Sequence, residues 1–404
     1  NDIRKFSMPI ELRNSTWDDF PLVKIINARG ENGYRTQVDF DAHQLVFAPD
    51  RSIMAFDGNH MVGNALSYEM DMYVPGGISK IAAVASVSVQ ATHRRQGINR
   101  SVMKYQLEDI YSRGEPLAVL QASESIIYGR YGYGLASFES NLKIEKVRSA
   151  YAKEHVSTGQ AYFIEESEAR EIFPQIYSEA IKNRIGMVTR KENWWEFRFR
   201  EPGLKGGDPK SWFVKYQENG KNDGYLRYTI NGTELNVIEL IASTHQAYSS
   251  LWRICLDMDL IDVIKAKHRP ADEELKWMLA DPRRLIEHSN DRYWVRLVDV
   301  KVALSQRSYS IDGSLIFKIQ DDFLPWNQEV LELSCESGEV SCINSSKDPD
   351  IILNVGDLGA VYLGGINFST LLSANRIEEV TQGSVSKANL MFSTPRKPWG
   401  FDGW

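Results

Sequence analysis

A short segment rich in arginine and glycine, residues 90–98 with the sequence QATHRRQGI, separates an apolar strand from an amphipathic helix. A helix that starts after such a turn has backbone N–H groups without partners, and its dipole adds partial positive charge there. Gly97 allows the backbone to approach an anion closely, and Arg94 and Arg95 supply charge that does not titrate. The segment from Arg94 to Ile98 therefore predicts a binding site for a pyrophosphate.

The strand before this segment adds a second part to the predicted site. Backbone groups at its end, from Val87 to Val89, would be free to bind an extended arm that carries amide groups. Coenzyme A has both a diphosphate and such an arm. A P-loop is excluded because GKS or GKT is absent, and a Rossmann site because GxGxxG is absent. The alternative is a solvated basic turn, which the strand–loop–helix–strand context disfavours.

A segment rich in glycine and tyrosine follows the next strand, residues 122–134 with the sequence ASESIIYGRYGYG. An amine that attacks a thioester expels a thiolate, whose conjugate acid has a pKa of roughly 8.5 by analogy with cysteine. A phenol, with a pKa of about 10, can donate a proton to that thiolate. We expect Tyr128 in this role, whereas Tyr131 and Tyr133 are expected to pack the turn as ordinary aromatic residues.

The region that carries these segments has a pattern that predicts the order β-α-β-β-β-α-β. Ser15 or Thr16 is expected to cap the first helix, and an apolar stripe from Val102 to Ile110 predicts one buried face on the second. Asp57-Gly58-Asn59 predicts a hairpin turn. The predicted strands are 8–13, 52–56, 61–73, 81–89 and 117–122.

A polar segment, residues 145–160, predicts a domain boundary, after which a similar order of elements returns. The predicted elements of this middle region are a helix at 168–183, strands at 212–216, 225–230 and 235–242, and a helix at 246–255. The connection Ser243–Ala247 has neither glycine nor arginine, so we expect no coenzyme there. A last region begins near 294–297, with strands at 314–319 and 330–334 and a helix at 368–374.

Charge and hydropathy exclude several classes of partner. The 404 residues include 47 Lys and Arg against 54 Asp and Glu, a formal net charge of −7. This balance argues against nucleic acid as the partner and suits a cationic acceptor. No apolar run approaches the ~20 residues that span a bilayer, and we expect neither a signal peptide nor a membrane partner.

The sequence contains three cysteines, Cys255, Cys335 and Cys342. An odd and sparse set predicts a reducing compartment and therefore a cytoplasmic protein. A turn at Ser337-Gly338 would place Cys335 opposite Val340, so that the last two sulfurs would not meet. The seven histidines lack metal-ligand spacing, and no metal is expected.

The order of elements and the loop together resemble the GCN5-related N-acetyltransferases, whose loop reads Q/R-x-x-G-x-G/A. Arg94 and Gly97 match that pattern, whereas Asn99 replaces the small last residue. The chain more narrowly resembles the enhanced-intracellular-survival (Eis) acetyltransferases, which carry THRRxG and IYGRxGYG at this separation. Further matches are WVRL at 294–297, YLGG at 362–365 and ANR at 374–376, so the resemblance covers the whole chain.

This resemblance implies an α/β fold of mixed sheets, in which two tandem acetyltransferase-like domains precede a sterol-carrier-protein-like domain. We place the active domain at 1–147, a degenerate acetyltransferase-like domain at 148–297 and the sterol-carrier-like domain at 298–404. The resemblance also implies acetyl-CoA as co-substrate and a hexamer.

We expect the residues that match the family's motifs to have the roles that these motifs have in the family. Ser123 is expected near the thioester, Tyr128 as the general acid, and the C-terminal carboxylate of Trp404 as the general base. The expected contacts to coenzyme A are Val87, Val89, Arg94, Arg95, Gly97 and Ile98.

The end of the chain has a composition that a free tail does not need, with three large aromatic residues in 395–404. A free α-carboxylate has a pKa of only ~3.5 and is a poor base in water, but burial beside the acceptor would raise it. Asp402 is the rival candidate for the base.

The acceptor is expected to be a primary amine, either a small molecule similar to a polyamine or aminoglycoside, or a lysine of a protein or peptide. Residues 30–40 contain Tyr34 and Phe40 but no tryptophan, so the family's aminoglycoside acceptors do not carry over directly. An alternative of another class is a non-catalytic lipid- or ligand-binding protein that works through its sterol-carrier-like end.

Overall fold

The computed structural model describes residues 9–30, 37–200 and 210–404. Contacts among these residues divide the chain into two compact units. The first unit contains the described residues up to Ala136 together with Tyr293–Thr394 and Gly403–Trp404. The second unit contains the described part of Ser137–Arg292 together with Pro395–Asp402, and is therefore inserted in the first along the chain.

Strands and helices are numbered in chain order. The strands are β1 (Glu11–Asn14), β2 (Ser52–Asp57), β3 (His60–Val74), β4 (Gly77–Val89), β5 (Leu117–Leu120), β6 (Gly134–Leu135), β7 (Phe138–Glu145), β8 (Gln160–Ile164), β9 (Trp212–Glu218), β10 (Lys221–Asn231), β11 (Glu234–Ala242), β12 (Val263–Pro270), β13 (Ile286–Asp291), β14 (Trp294–Leu297), β15 (Gly313–Gln320), β16 (Val330–Glu336), β17 (Glu339–Asn344), β18 (Ile351–Asn354) and β19 (Glu378–Glu379). The helices are α1 (Phe20–Gly30), α2 (Gln37–Gln44), α3 (Ile98–Ser112), α4 (Ser125–Tyr128), α5 (Glu166–Ala180), α6 (Glu192–Arg200), α7 (His245–Asp257), α8 (Leu275–Met278), α9 (Val300–Gln306), α10 (Val355–Tyr362), α11 (Phe368–Ser373) and α12 (Ser384–Phe392).

The first unit is built around a sheet with the strand order β1-β2-β3-β4-β5-β14-β6. Its longest pairing is the antiparallel hairpin of β3 and β4, which closes at Val74 and Gly77. Helix α1 contacts β3 and β4, and α3 contacts β2, β3 and β4. Ile98 and Val102 of α3 are buried in an apolar cluster with Ile53 and Val62 of the sheet, which fixes the start of α3 on the strands.

β4 and β5 are parallel neighbours that separate part of the way along. The parallel pairing joins Ile81–Ala83 to Leu117–Val119. β4 then continues beside β3 to Val89, whereas β5 ends at Leu120. We call the gap beyond Ala83 the β4–β5 opening.

A β-bulge interrupts β4 at this opening. Asn64 of β3 is opposite Ser88, and Leu66 is opposite Ala85, so Ser86 and Val87 together face one residue of β3. The backbone of Ser86 is left-handed, with a φ of 54°. A bulge of this kind bends the strand and leaves one residue outside the hydrogen-bonded ladder.

The second unit is built around a sheet with the strand order β13-β7-β12-β11-β10-β9-β8. β11 and β12 are parallel as far as the pair Val237 and Ala266. β11 then continues to Ala242, and we call this gap the β11–β12 opening. Helix α7 follows β11 and buries Leu251 and Trp252 against the sheet. The predicted repetition of elements is therefore confirmed.

A third sheet, with the strand order β17-β16-β15-β18-β19, belongs to the first unit. Its neighbour α10 is buried along its length and contacts β14 and β6 of the first sheet. A Cβ atom at Gly134 would lie 1.7 Å from the carbonyl oxygen of Gly356, and one at Gly359 would lie 2.3 Å from that of Val295. These glycines therefore allow direct contact between the backbones of α10 and the sheet.

The mixed α/β architecture is confirmed, and most predicted elements are present with shifted ends. The strand predicted at 81–89 begins at Gly77, and the strand predicted at 117–122 ends at Leu120. The strand predicted at 8–13 is β1, and its predicted first residue, Met8, lies outside the described residues. The sequence did not predict α2 or α4.

Two strands pair differently from what the boundaries 1–147 and 148–297 suggest. β7 lies before the first boundary but pairs with β12 and β13 of the second sheet. β14 lies before the second boundary but pairs with β5 and β6 of the first sheet. Both pairings join segments far apart in the chain, which local hydrophobic periodicity does not encode.

The cysteines are arranged as the sequence predicts. Cys335 is opposite Val340 in the register of β16 and β17, and Cys255, Cys335 and Cys342 are all free and buried. Burial raises the pKa of the Cys255 and Cys342 thiols to about 12, so both remain unreactive thiols at neutral pH.

The described residues contain neither a membrane-spanning helix nor a cluster of metal ligands. Over residues 9–30, 37–200 and 210–404, no helix is long and apolar enough to cross a bilayer. In the same ranges, no group of three His, Cys, Asp or Glu side chains is placed to hold a metal ion.

Candidate active site

The start of α3 forms one side of the β4–β5 opening. Gly97 precedes the helix with a φ of 84°, and its carbonyl accepts the first helical hydrogen bond, from Ser101 N–H, at 3.1 Å. The amides of the first turn therefore take no part in the hydrogen bonds of the helix itself. A Cβ atom on Gly97 would meet nothing within 4 Å among the described atoms, so the left-handed backbone, rather than crowding, requires glycine here.

Only the backbone of Ile98 is available at this opening. Its side chain is 3% exposed and packs in the apolar core below α3. The prediction named Ile98 as a coenzyme contact, and its amide, the first of the helix, is the group that can serve.

The two arginines of the loop are exposed, and they differ in conformation. The Arg94 guanidinium donates to the carbonyl of Gly30 at 3.2 Å and to that of Val89 at 3.4 Å. Arg95 has a left-handed backbone, with a φ of 62°. Arg94 therefore lies against the ends of α1 and β4, next to the amides that start α3.

Val87 and Val89 lie on the part of β4 that continues past β5. Val89 remains paired with Gly63 of β3, and its carbonyl is the one that Arg94 contacts. Val87 belongs to the bulge and is half-buried against the apolar cluster of the first unit. Of the two predicted residues, Val87 is thus the one whose backbone lies outside the regular pairing with β3.

Tyr128 and Ser123 meet on the segment that follows β5. The Tyr128 side chain is 7% exposed and lies beside the Ser123 side chain. Burial raises the pKa of the Tyr128 phenol above its ordinary value, and the Ser123 contact opposes this only in part. A neutral phenol is the form that can donate a proton.

Tyr131 and Tyr133 pack the turn, as the sequence predicts. Tyr131 contacts Phe323 with 5.0 Å between ring centroids, and its hydroxyl accepts from the Asn99 side chain at 3.1 Å. Tyr133 is 2% exposed and meets the Tyr128 ring edge to face at 6.1 Å. Asn99, which replaces the small residue of the loop pattern, thereby connects the start of α3 to the segment that carries Tyr128.

The last residue of the chain lies at the β4–β5 opening. The Trp404 indole N–H donates to the carbonyl of Val84 at 2.9 Å, and its ring stacks on Tyr293 at 5.3 Å. Val84 directly follows Ala83, the last residue of β4 that pairs with β5. The indole therefore fixes the C-terminal residue at the point where the two strands separate.

Asp402, the rival candidate for the base, has other partners within the second unit. Its carboxylate lies 2.8 Å from the Arg190 guanidinium and accepts from the Tyr177 hydroxyl at 2.9 Å. Asp402 is 4% exposed. A buried carboxylate held by an arginine and a phenol has the properties of a structural anchor rather than of an available base.

The helix start at the β11–β12 opening differs from that of α3. Thr244 caps α7, and its hydroxyl oxygen accepts from the Ala247 amide at 3.1 Å. The carbonyl of Leu240, on the part of β11 past the opening, accepts from the Arg269 guanidinium at 2.9 Å. The groups that a coenzyme would use are thus occupied by the protein's own side chains.

The structure brings most of the predicted site residues to one end of the first sheet. Tyr128 shares an apolar cluster with Val84, whose carbonyl binds Trp404, and Val87 packs against the same cluster. Sequence patterns did not indicate Asn64, which binds the Ser86 carbonyl of the bulge, its partner Asn27, or Tyr293, whose ring stacks on Trp404. A polar residue inside the apolar segments 22–28 and 61–66 was the available signal for the two asparagines.

Family models match three parts of the chain. Residues 12–136 and residues 186–297 match two models described as an acetyltransferase (GNAT) domain. Residues 300–400 match a model described as a sterol carrier protein domain.

Related proteins match over most of their length. A Streptomyces avermitilis protein named as an uncharacterized N-acetyltransferase is 34% identical over 363 residues, which cover 87% of this chain and 88% of the relative. The N-acetyltransferase Eis of Mycobacterium tuberculosis is 27% identical and covers 92% of this chain and 93% of its own.

Solved structures match over nearly the whole chain. Eis1 from Mycobacterium abscessus has a TM-score of 0.86 at 30% sequence identity, over 98% of this chain and 100% of its own. A GCN5-related N-acetyltransferase from Anabaena variabilis has a TM-score of 0.87 at 17% identity, which shows the shared fold.

Proposed function

Because this chain belongs to the Eis-like family of GCN5-related N-acetyltransferases, we propose that it transfers acetyl from acetyl-CoA to a primary amine by direct attack. Tyr128 acts as the general acid and the Trp404 carboxylate as the general base. The observation that carries this proposal is the place of Trp404, whose indole binds Val84 where β4 and β5 separate.

The diphosphate of the coenzyme binds at the start of α3. The amides of Ile98 and the next residues supply donors, and Gly97 leaves the space above them open. Arg94 and Arg95 supply positive charge beside these amides. The pantetheine arm then extends along β4, where Val87 is outside the regular ladder.

The thioester lies at the β4–β5 opening, next to Ser123 and Tyr128. The amine nitrogen attacks the carbonyl carbon, so a C–N bond forms and the C–S bond breaks. The Tyr128 hydroxyl gives its proton to the leaving thiolate, and the Ser123 side chain lies beside the phenol. Burial keeps Tyr128 in its neutral form until that step.

The base must remove a proton from the acceptor, because an amine arrives mostly as ammonium at neutral pH. A carboxylate at Trp404 attracts that cation and accepts its proton directly or through water. The acceptor nitrogen loses two protons in all, one from the ammonium before attack and one after the C–N bond has formed. One of them replaces the proton that Tyr128 donates, and the other passes from the carboxylate to solvent, so both groups return to their starting state.

The acceptor that we propose is a small polycationic amine of the polyamine or aminoglycoside class. The formal net charge of −7 favours a cation over an anion as the partner. A lysine side chain on a protein or peptide is the alternative outcome of an acceptor screen.

We extend the proposal to organisation and location. The functional domains are residues 1–147, 148–297 and 298–404. The protein forms a hexamer. It is located in the cytoplasm. The three free thiols support a reducing compartment. Light scattering of the purified chain measures the oligomer directly.

The decisive experiment measures the release of free CoA thiol from acetyl-CoA against a panel of amines, with mass spectrometry of each acceptor. We expect release that depends on the amine and a mass increase of one acetyl group. If no amine supports release, while acetyl-CoA fails to raise the melting temperature and a fatty ligand raises it, the lipid-binding alternative replaces this proposal.

A further inference from the structure

Two buried asparagines form a bridge beside the β4–β5 opening. Asn64 lies on β3 with 0% of its surface exposed, and Asn27 lies on α1 with 2% exposed. The Asn64 amide nitrogen donates to the Asn27 side-chain oxygen at 2.7 Å and to the backbone carbonyl of Ser86 at 2.6 Å. The bridge thus joins a helix, β3 and the bulge of β4.

The bulge needs such support, because Ser86 has a left-handed backbone that residues with a side chain adopt only at a cost. The Ser86 carbonyl points out of the β3–β4 ladder to the Asn64 side chain. Asn64 therefore provides the hydrogen bond that this carbonyl would lose in a bulge.

Helix α1 is fixed to β4 just beyond the bulge. A Cβ atom on Gly30 would lie 1.7 Å from the Ser88 hydroxyl oxygen, so the helix backbone touches the strand there. Asn27 and Gly30 are three residues apart and share a helix face. Helix α1 therefore contacts the strand directly at Ser88 and is connected to Ser86 through Asn64.

The bridge is not explained by stability. The Asn27 amide nitrogen and the Asn64 side-chain oxygen are buried and lack a hydrogen-bond partner among the described residues. Buried polar atoms without partners destabilise a fold, and where they persist they call for another explanation. The position of the bridge suggests one, since Ser86 lies two residues after Val84, the residue that binds Trp404.

We propose that Asn64 and Asn27 are positioning residues that hold the bulge. They keep the backbone amide that the bulge leaves outside the β3–β4 ladder facing the thioester carbonyl. This inference rests on the proposed acetyl transfer. Negative charge develops on that carbonyl oxygen during attack, and a fixed amide stabilises it without reorganisation. Neither asparagine touches the substrate, so both act through the backbone of β4.

The test compares Asn64→Leu and the double variant Asn27→Leu/Asn64→Leu with a matched control, Asn327→Leu. The double variant removes both amides of the pair, and the Ser86 carbonyl loses its Asn64 partner in both variants, so denaturant unfolding of the two variants separates a loss of folding from a loss of catalysis. Asn327 is also a buried amide of the first unit, at 4% exposed, and donates to the carbonyl of Val298 at 3.1 Å, far in sequence from β3 and β4.

We expect kcat to fall at least about tenfold in both Asn64 variants, since loss of one such donor costs that much or more. Binding of free CoA, measured by calorimetry, should change less than twofold, whereas any preference for acetyl-CoA over CoA should disappear. The control should keep both the wild-type kcat and that preference.

Equal kcat values and equal acetyl-CoA preference in the Asn64 variants and the control would overturn the inference while leaving acetyl transfer intact. Failure of the wild-type chain to bind acetyl-CoA would overturn the proposed function and this inference together. The two failures are thus distinguished by the wild-type measurement.

Discussion

The β4–β5 opening of the first unit and the β11–β12 opening of the second have the same plan. In each, a strand separates from its parallel neighbour and leads through a short connection into a helix, α3 or α7, although β12 continues to Pro270 whereas β5 ends at Leu120. A short helix, α4 or α8, follows the neighbouring strand in each unit. Because the plan is shared, the differences between the two places are differences of side chains.

The first difference is the helix start. Gly97 precedes α3, and no side-chain cap binds the first amides of the helix. Thr244 precedes α7 and uses its own hydroxyl oxygen to bind the Ala247 amide. One helix start is therefore ready for an anion, and the other is closed by the protein itself.

The second difference is the side chain that donates a hydrogen bond to the strand carbonyl at each opening. In the first unit the Val84 carbonyl binds the indole of the terminal residue, Trp404. In the second unit the Leu240 carbonyl binds Arg269, which is buried and also paired with Glu273 at 2.9 Å. The gap between the strands is thus the proposed site in the first unit, whereas in the second unit buried side chains occupy it.

The largest expected effect on kcat concerns Tyr128. This residue ends the short helix α4 that follows β5, whereas Met278 ends the corresponding helix α8 after β12. Tyr128→Phe removes the proposed acid, and we expect kcat to fall by about 10²–10³-fold. Tyr133→Phe is the matched control, because the Tyr133 hydroxyl has no partner among the described atoms.

The pH profile sharpens this prediction. Burial raises the pKa of Tyr128, so the phenol stays protonated to a higher pH than an ordinary tyrosine. The alkaline loss of kcat in the wild type should therefore begin above the ordinary value of about 10. An alkaline loss near neutral pH would contradict the role of Tyr128.

The second effect concerns the terminal residue at the first opening. A short tag after Trp404, or amidation of its carboxylate, should lower kcat by about 10²-fold, as expected when a general base is lost. Calorimetry should show unchanged binding of acetyl-CoA. Asp402→Asn should retain more activity but unfold at lower temperature, because Arg190 loses a charged partner.

Full activity of the tagged chain would show that the base lies elsewhere. An Asp402→Asn chain less active than the tagged chain would instead assign that role to Asp402.

The third effect tests the charge at the first helix start. Arg94→Glu/Arg95→Glu places negative charge beside the diphosphate, and we expect the Kd for acetyl-CoA to rise about a hundredfold. Arg283→Glu/Arg284→Glu makes the same change of charge at two adjacent exposed arginines of the second unit. This control should bind as the wild type does.

Calorimetry on the wild type completes the comparison, with one coenzyme expected per chain. Two coenzymes per chain would show that the second opening is also a site.

The smallest effect concerns the two helix starts themselves. Thr244→Ala should lower the free energy of unfolding by about 1 kcal/mol through loss of the cap and leave acetyl-CoA affinity unchanged. Gly97→Ala should cost about 1–2 kcal/mol, because its φ of 84° is unfavourable for alanine. Denaturant unfolding measures both changes, and a loss of coenzyme affinity in Thr244→Ala would contradict the contrast between the units.

The features of the proposed coenzyme site are local in the sequence. Val87, Arg94, Gly97 and the start of α3 lie within a few residues of one another, so the order strand, loop and helix places them correctly. The turn that separates Cys335 from Cys342 is local as well, and its register was predicted for the same reason.

The remaining features depend on contacts between distant parts of the chain. β14 could be recognised as an apolar strand, but its neighbours β5 and β6 could not be deduced from its own residues. Asn64 stands out as a polar residue in an apolar strand, yet its two partners come from α1 and β4. Neither periodicity nor propensity carries information about such partners.

The position of β14 has a consequence for the synthesis of the protein on the ribosome. β5 and β6 both pair with β14, so the first sheet stays incomplete until residues 294–297 have emerged. At roughly 5–20 residues per second, the inserted second unit delays that moment by about ten to thirty seconds. During this interval the edge of β5 is open to other chains, the hazard that chaperones suppress. The sheet that carries the coenzyme loop is begun first and completed only after the inserted unit has been made.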